Sequence, residues 1–192
     1  YGENNLSAKY NYRKSEFSAY AYWGRRDLKW TRENYETFRF PDNTLERREI
    51  GKPTPVKYDD LNFSLAYNLQ DDDKQMLNVT LRNNYNDTPN SFSDRESSLY
   101  QGEDILSISD RLSSKLRVPS LDIYYQRKMK NQQSLTFNVV GTYLNSENTR
   151  TYQESLPEET PSAVYSSIDG KKYSLITEGI YDKKFKNGKF SG

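Results

Sequence analysis

The sequence predicts an all-β fold, an antiparallel up-and-down β-barrel wall of about eight strands. Three observations predict it. Apolar and polar residues alternate with a period of two over most of the chain, as in Leu135, Phe137, Val139 and Tyr143 against Thr136, Asn138, Val140 and Thr142. Short turns and long polar connections follow one another in turn. Aromatics make up 14% of a chain that is only 33% hydrophobic and 29% charged, so one face of each strand must be apolar while the other is wet.

Taken in order, the first strand carries Leu6, Ala8, Tyr10 and Tyr12 against Ser7, Lys9, Asn11 and Arg13. A polar turn at Arg13-Lys14-Ser15-Glu16 leads to Phe17, Ala19, Ala21 and Trp23. The next pair places Leu61, Phe63, Leu65, Tyr67 and Leu69 before the turn at 70–74, and Leu77, Val79, Leu81 and Tyr85 after it. Leu121, Ile123 and Tyr125 precede a third turn at 128–132, and the Leu135–Leu144 stretch follows. A fourth turn, 184–189, closes the last pair around Tyr173–Tyr181, where Ile176 and Ile180 fall on the opposite parity to Leu175 and Tyr181. The turn centres recur about every 57 residues, a topological rhythm without a sequence repeat.

Between the pairs lie long polar connections, roughly 33–57, 86–117 and 145–172, marked by Pro41, Pro53, Pro55, Pro89, Pro157 and Pro161. Ile105, Ile108, Leu112 and Leu116 fit a helical stripe, and equally extended strand ends or a folded loop.

An alternation of short and long connections is the pattern of an outer-membrane barrel, with short periplasmic turns and long extracellular loops. In that reading residues 1–192 form one barrel segment in the outer membrane. Leu65, Leu81, Ile123 and Phe137 face lipid, while Lys9, Arg82, Asp122 and Glu178 face the lumen or its rim. Tyr10, Tyr12, Phe17 and Tyr125 fit one interfacial girdle; Trp23, Trp30, Tyr85 and Tyr143 fit the other. The competing reading is a soluble β-sandwich binding module, which also alternates but rarely spaces its connections so regularly.

Composition excludes several chemistries. A net charge of +1 gives no field for nucleic acid. With neither His nor Cys, Ser-His, Cys-His and His-ligated metal chemistry have no residues here, so no catalytic residue, cofactor or metal site is expected. Asp71-Asp72-Asp73 lacks the spacing and glycine of a calcium loop. Glu158-Glu159 reads as a solvated pair in a Pro-flanked loop. The aromatics outside the membrane reading, Trp30, Tyr35, Phe38, Phe40, Tyr100, Tyr152 and Tyr165, are candidates for stacking on a ligand such as a sugar.

The stretch Lys130-Asn131-Gln132-Gln133-Ser134-Leu135-Thr136-Phe137-Asn138, running on to Gly141-Thr142-Tyr143-Leu144, resembles the barrel of TonB-dependent receptors from Bacteroidota. So do Tyr10-Asn11-Tyr12-Arg13-Lys14 and Tyr181-Asp182-Lys183-Lys184-Phe185-Lys186-Asn187. The resemblance implies a barrel of about 22 strands closed by a plug, importing a bulky glycan, siderophore or peptide with energy relayed by TonB. It implies as partners the outer-membrane lipid, the rest of the barrel and its plug, the TonB system through that plug, and barrel-assembly machinery or a surface lipoprotein. With about eight strands and a Phe190-Ser191-Gly192 end, the chain reads as an internal barrel fragment. The alternative is a complete small eight-stranded barrel with a structural or adhesive role.

Overall fold

The computed structural model describes residues 2–71, 74–102, 104–157 and 159–192. Asp72, Asp73 and Glu158, which figure in the acidic-run and carboxylate-pair readings, lie outside them. The protein is all-β and antiparallel, with no helix among the described residues. Eleven strands build one sheet: β1 (Gly2–Tyr12), β2 (Ser15–Trp30), β3 (Glu33–Arg39), β4 (Thr44–Lys52), β5 (Thr54–Asp71), β6 (Gln75–Asn90), β7 (Arg95–Gln101), β8 (Asp104–Met129), β9 (Gln133–Ser155), β10 (Ser162–Phe185) and β11 (Gly188–Ser191).

The pairings reduce these to an up-and-down meander. β2 runs on into β3 across Thr31-Arg32, β4 into β5 across Pro53, and β6 into β7 across residues 91–94. β3 therefore pairs β4 as β2 pairs β5, and β4 pairs β7 as β5 pairs β6. β8 carries β7 along its first residues and β6 along the rest, and the chain continues through β9, β10 and β11. Eight passes result. The turns that follow β1, β5, β8 and β10 lie at one end, and the connections that follow β3, β7 and β9 at the other.

The short turns have local causes. Tyr12 and Ser15 face each other, leaving Arg13 and Lys14 as a two-residue loop, and Arg13 adopts φ 54° at the position where the strand twist favours a left-handed residue. Asn131 and Gln132, at φ 62° and 55°, do the same for the β8–β9 turn.

The long connections correct the sequence reading. Among the described residues, 33–57, 86–117 and 145–172 are mostly strand, broken at 40–43, Pro53 and 91–94. Ile105, Ile108, Leu112 and Leu116 all lie in β8, so the helical alternative is excluded. These extensions escape detection because polar residues hold both faces, and the ladder is held by backbone bonds with ion pairs such as Arg47–Glu36 at 3.5 Å and Lys57–Asp27 at 3.7 Å. β8 has 26 residues, which at about 3.3 Å each spans on the order of 85 Å.

Pro119 sits inside β8, where a missing N–H should interrupt a ladder. It does so on one side only. Asn83 of β6 still faces it, whereas the β8–β9 register omits Val118 and Pro119.

Little of the molecule is buried. Val56, Leu99 and Ile108 are the buried apolar residues among those described. They belong to the extended end, where the turn at 91–94 folds across the sheet and Phe92 meets Trp30 of β2 edge-on at 5.9 Å.

Candidate functional site

Cross-strand partners share a face, so the registers define the two surfaces. One row runs Ala8, Ala19, Leu65, Leu81, Leu121, Gly141, Leu175. The row beneath it runs Tyr10, Phe17, Tyr67, Val79, Ile123, Val139, and the next Tyr12, Leu69, Leu77, Tyr125, Phe137. Above, Phe63 and Tyr173 lead to a row with Trp23, Leu61 and Tyr85. The four residues expected to face lipid, Leu65, Leu81, Ile123 and Phe137, therefore share one face. Leu65 and Phe137 are 49% and 47% exposed, so nothing among the described residues covers them.

This belt is tall enough to matter. From Leu61 to Leu69, or Leu77 to Tyr85, it covers about nine residues, the length a tilted strand needs to cross a hydrocarbon layer. Aromatics lie close to both borders: Tyr10, Phe17 and Tyr67 in succession one row inside one border, with ring centroids 6.5 and 4.8 Å apart, and Tyr143 stacked on Tyr173 at 4.7 Å near the other. Ala8 and Ala19 leave a shallow apolar trough of about 470 Å³ walled by Tyr10, Phe17, Tyr67 and Leu65. An acyl chain would fit it by shape and polarity.

The opposite face is wet. Across from the belt it carries Asn68, Asn78, Tyr124, Asn138 and Glu178 in one row, and Ser64, Arg82, Ser120 and Thr142 in another. Lys9 bonds Glu16 there at 2.6 Å. Ile176 and Ile180, the off-parity residues of β10, also fall on this face, opposite Val140 and Thr136.

At the extended end the polar face holds a charged network that the sequence reading does not single out. Asp110, 7% exposed, accepts two bonds from Arg150, Nε at 2.8 Å and Nη2 at 2.7 Å, and lies 3.8 Å from Arg95. Arg95 also donates to both oxygens of Glu49, at 3.1 and 3.0 Å, and the Ser97 hydroxyl donates to Glu49 at 2.5 Å. The Asp110 carboxylate, by its hydrogen bond and charge, holds the Arg150 guanidinium above its ordinary value. Burial raises Tyr152, and its bond to Glu154 adds to the shift. Asp94, 3% exposed, anchors the 91–94 turn by accepting from the Leu112 amide at 2.7 Å; burial pushes its carboxyl up. Each of these carboxylates is committed to an arginine, hydroxyl or amide. Among the described residues no group of three or more His, Cys, Asp or Glu could hold a metal ion. The signal for this network was the alternation of charge in Asp94-Arg95-Glu96 and Asp110-Arg111, hidden inside what reads as loop.

The seven aromatics proposed for ligand stacking are not brought together. Tyr35 and Tyr100 do flank Arg48 in one register row, with the guanidinium 5.1 Å from the Tyr35 ring, beside a groove of about 710 Å³. Phe38 faces Leu45 near the hairpin tip, and Phe40 is in the turn beyond. Tyr152 is on the polar face and Tyr165, 69% exposed, on the other. Trp30 is also on the polar face, against Phe92, so it does not join the Trp23–Tyr85 border. No protein-family model matches the chain, and no curated protein sequence matches it.

Proposed function

We propose that this chain is part of the wall of an outer-membrane β-barrel. We further propose that the barrel belongs to the TonB-dependent receptors, which import a bulky nutrient such as a glycan, siderophore or peptide. The register-aligned apolar belt carries the proposal. It is exposed on one face, about nine residues tall and backed by a polar face, which is what a strand between lipid and a wet lumen requires. A sandwich would bury one face of this sheet under a second sheet, and Leu65, Leu81 and Leu121 have no such cover.

The turn sequences that resemble Bacteroidota receptors support the narrower assignment. So does the open sheet: among the described residues β1 pairs only β2, and β10 from Ser162 to Ile180 has β9 alone as neighbour, so further strands would complete the wall. That observation weighs against an eight-stranded barrel closed on itself. On this reading the short turns face the periplasm, a plug and the opposite wall share the lumen, and TonB supplies energy through that plug. The wall guides and holds cargo, and Tyr35 and Tyr100, on either side of Arg48, are the ring pair best placed for stacking on a ligand. The chain carries no reaction of its own.

Two measurements test it. Single cysteines at Leu65 and Leu81, in cells expressing the full-length protein, should resist a water-soluble maleimide, while cysteines at Thr80 and Asn138 react. Nutrient uptake by the same cells should stop when the proton-motive force is collapsed. Equal labelling of both faces would sink the barrel; uptake indifferent to the proton-motive force would sink the TonB-dependent assignment alone.

A further inference from the structure

The two borders of the belt differ in charge. At the extended end three cations next to the belt have carboxylates beside them: Arg25 with Asp59 at 3.8 Å, Lys57 with Asp27 at 3.7 Å and Lys115 with Asp87 at 3.8 Å. At the short-turn end the sequence is acidic at Asp71-Asp72-Asp73, but at the turns that follow β8 and β10 the balance is lost. Arg127 and Lys130 on one turn and Lys183, Lys184, Lys186 and Lys189 on the next stand against a single carboxylate, Asp182, within residues 125–135 and 181–190. Lys189 takes up that carboxylate at 3.0 Å. The two turns touch, since the Lys184 amide donates to the Gln132 carbonyl at 3.1 Å. Their charges therefore form one patch.

The patch is continuous with the belt. Arg127, Leu135 and Tyr181 form the register row below Tyr125 and Phe137, and Met129, Gln133 and Lys183 form the row after that. Arg127 and Lys183 thus share the apolar face. Exposed apolar groups lie among them: Met129, and Phe185, whose ring sits 5.0 Å from the Lys183 ammonium. Apolar stems with cationic heads, one step beyond a hydrocarbon-facing band, suit the depth where acyl chains end and headgroups begin.

Resting on the membrane reading above, we propose that this basic border is a binding surface for anionic phospholipid headgroups in the leaflet on the short-turn side. A phosphodiester without a compensating amine suits a patch with surplus positive charge; a zwitterionic headgroup brings its own cation and gains less.

The test uses the full-length protein in detergent, titrated with dioleoylphosphatidylglycerol or dioleoylphosphatidylcholine and read by native mass spectrometry. The wild type should retain the anionic lipid at least about tenfold more tightly, given the contribution of each surface cation. Arg127→Gln/Lys130→Gln/Lys183→Gln/Lys186→Gln should bring the two lipids to within about twofold, because four such contributions are removed. Arg25→Gln/Lys115→Gln/Arg117→Gln/Lys171→Gln, an equal loss of charge at the other border, should keep the preference. Raising the salt of the wild-type sample should erase it without any substitution. A preference that survives the first variant, disappears equally in both, or withstands salt overturns the proposal. Tighter binding of soluble polyglutamate than of the anionic lipid overturns it in favour of an acidic polypeptide. Failure to insert into lipid nanodiscs would instead sink the membrane reading, whereas insertion without headgroup preference sinks this inference alone.

Discussion

At the scale of single residues, the two faces of one strand should respond differently to the same change. Leu65 and Leu81 face each other across β5 and β6 within the exposed belt. Arginine at either should cost about 2–4 kcal/mol near a bilayer midplane. Thr80→Arg and Asn138→Arg, on the polar face, should cost much less, because water reaches the new charge. Urea midpoints of the full-length protein in lipid vesicles check this; equal losses on both faces would contradict the belt. Gly51 makes a sharper steric case. A Cβ there would lie 2.3 Å from the Arg32 carbonyl oxygen, at the point where β2 gives way to β3. That neighbour is backbone and cannot rotate away, so Gly51→Ala should destabilise by about 1–3 kcal/mol. Gly188→Ala, with open space around it, should be nearly silent. A Gly51→Ala protein with an unchanged thermal midpoint would refute the close approach.

Elements show which parts of the fold are legible in sequence. Strands over the belt could be read because lipid or solvent imposes a strict two-residue period on their side chains. β3, β4, β7 and the outer halves of β8, β9 and β10 could not, because polar residues such as Glu36, Arg47, Glu96 and Thr149 occupy both faces and leave no period. The charged network failed to show for a related reason. Arg95, Asp110 and Arg150 come from three different strands, and only the register unites them. Its anchor, Asp94, makes an element-scale prediction. Burial raises its pKa in the folded state against the opposing bonds from Leu112 and Asn90. A raised folded value means the carboxyl stabilises the turn fully below its unfolded value near 3.8, and this contribution is lost as pH rises through the folded value. Lowering pH from neutral towards about 4 should therefore stabilise the wild type relative to Asp94→Asn, which has no such titration. The difference between their urea midpoints at the two pH values measures it, and a difference that grows with rising pH in favour of the wild type would reverse the sign and refute the argument.

For the molecule as a whole, the decisive feature is that the sheet has edges. Among the described residues β1 offers one unpaired side and β10 offers another from Ser162 to Ile180, beyond the short β11 and Gly192. On the proposed membrane reading, rows of free N–H and C=O groups cannot remain in hydrocarbon, so each edge would need a strand. Self-closure would bring β1 against the β10–β11 edge in an eight-stranded barrel, whose interior is just wide enough for side chains to fill. The polar face is poorly suited to that space. Tyr20, Arg82, Asp122, Tyr124 and Glu178 would converge there, and Tyr20 is 46% exposed in the open sheet, with room it would lose on closure. Residues 1–192 expressed alone and refolded in detergent should therefore give associating or heterogeneous species. The compact, heat-modifiable monomer typical of a closed barrel should appear only when the strands that complete the wall are supplied. Size-exclusion chromatography with unheated and heated electrophoresis distinguishes the two outcomes. A monomer that migrates faster unheated, with β1 and β10 amides protected from hydrogen exchange, would show that the edges close on each other. In that event the small-barrel alternative would replace the receptor wall, because no missing strands would be needed to satisfy the backbone.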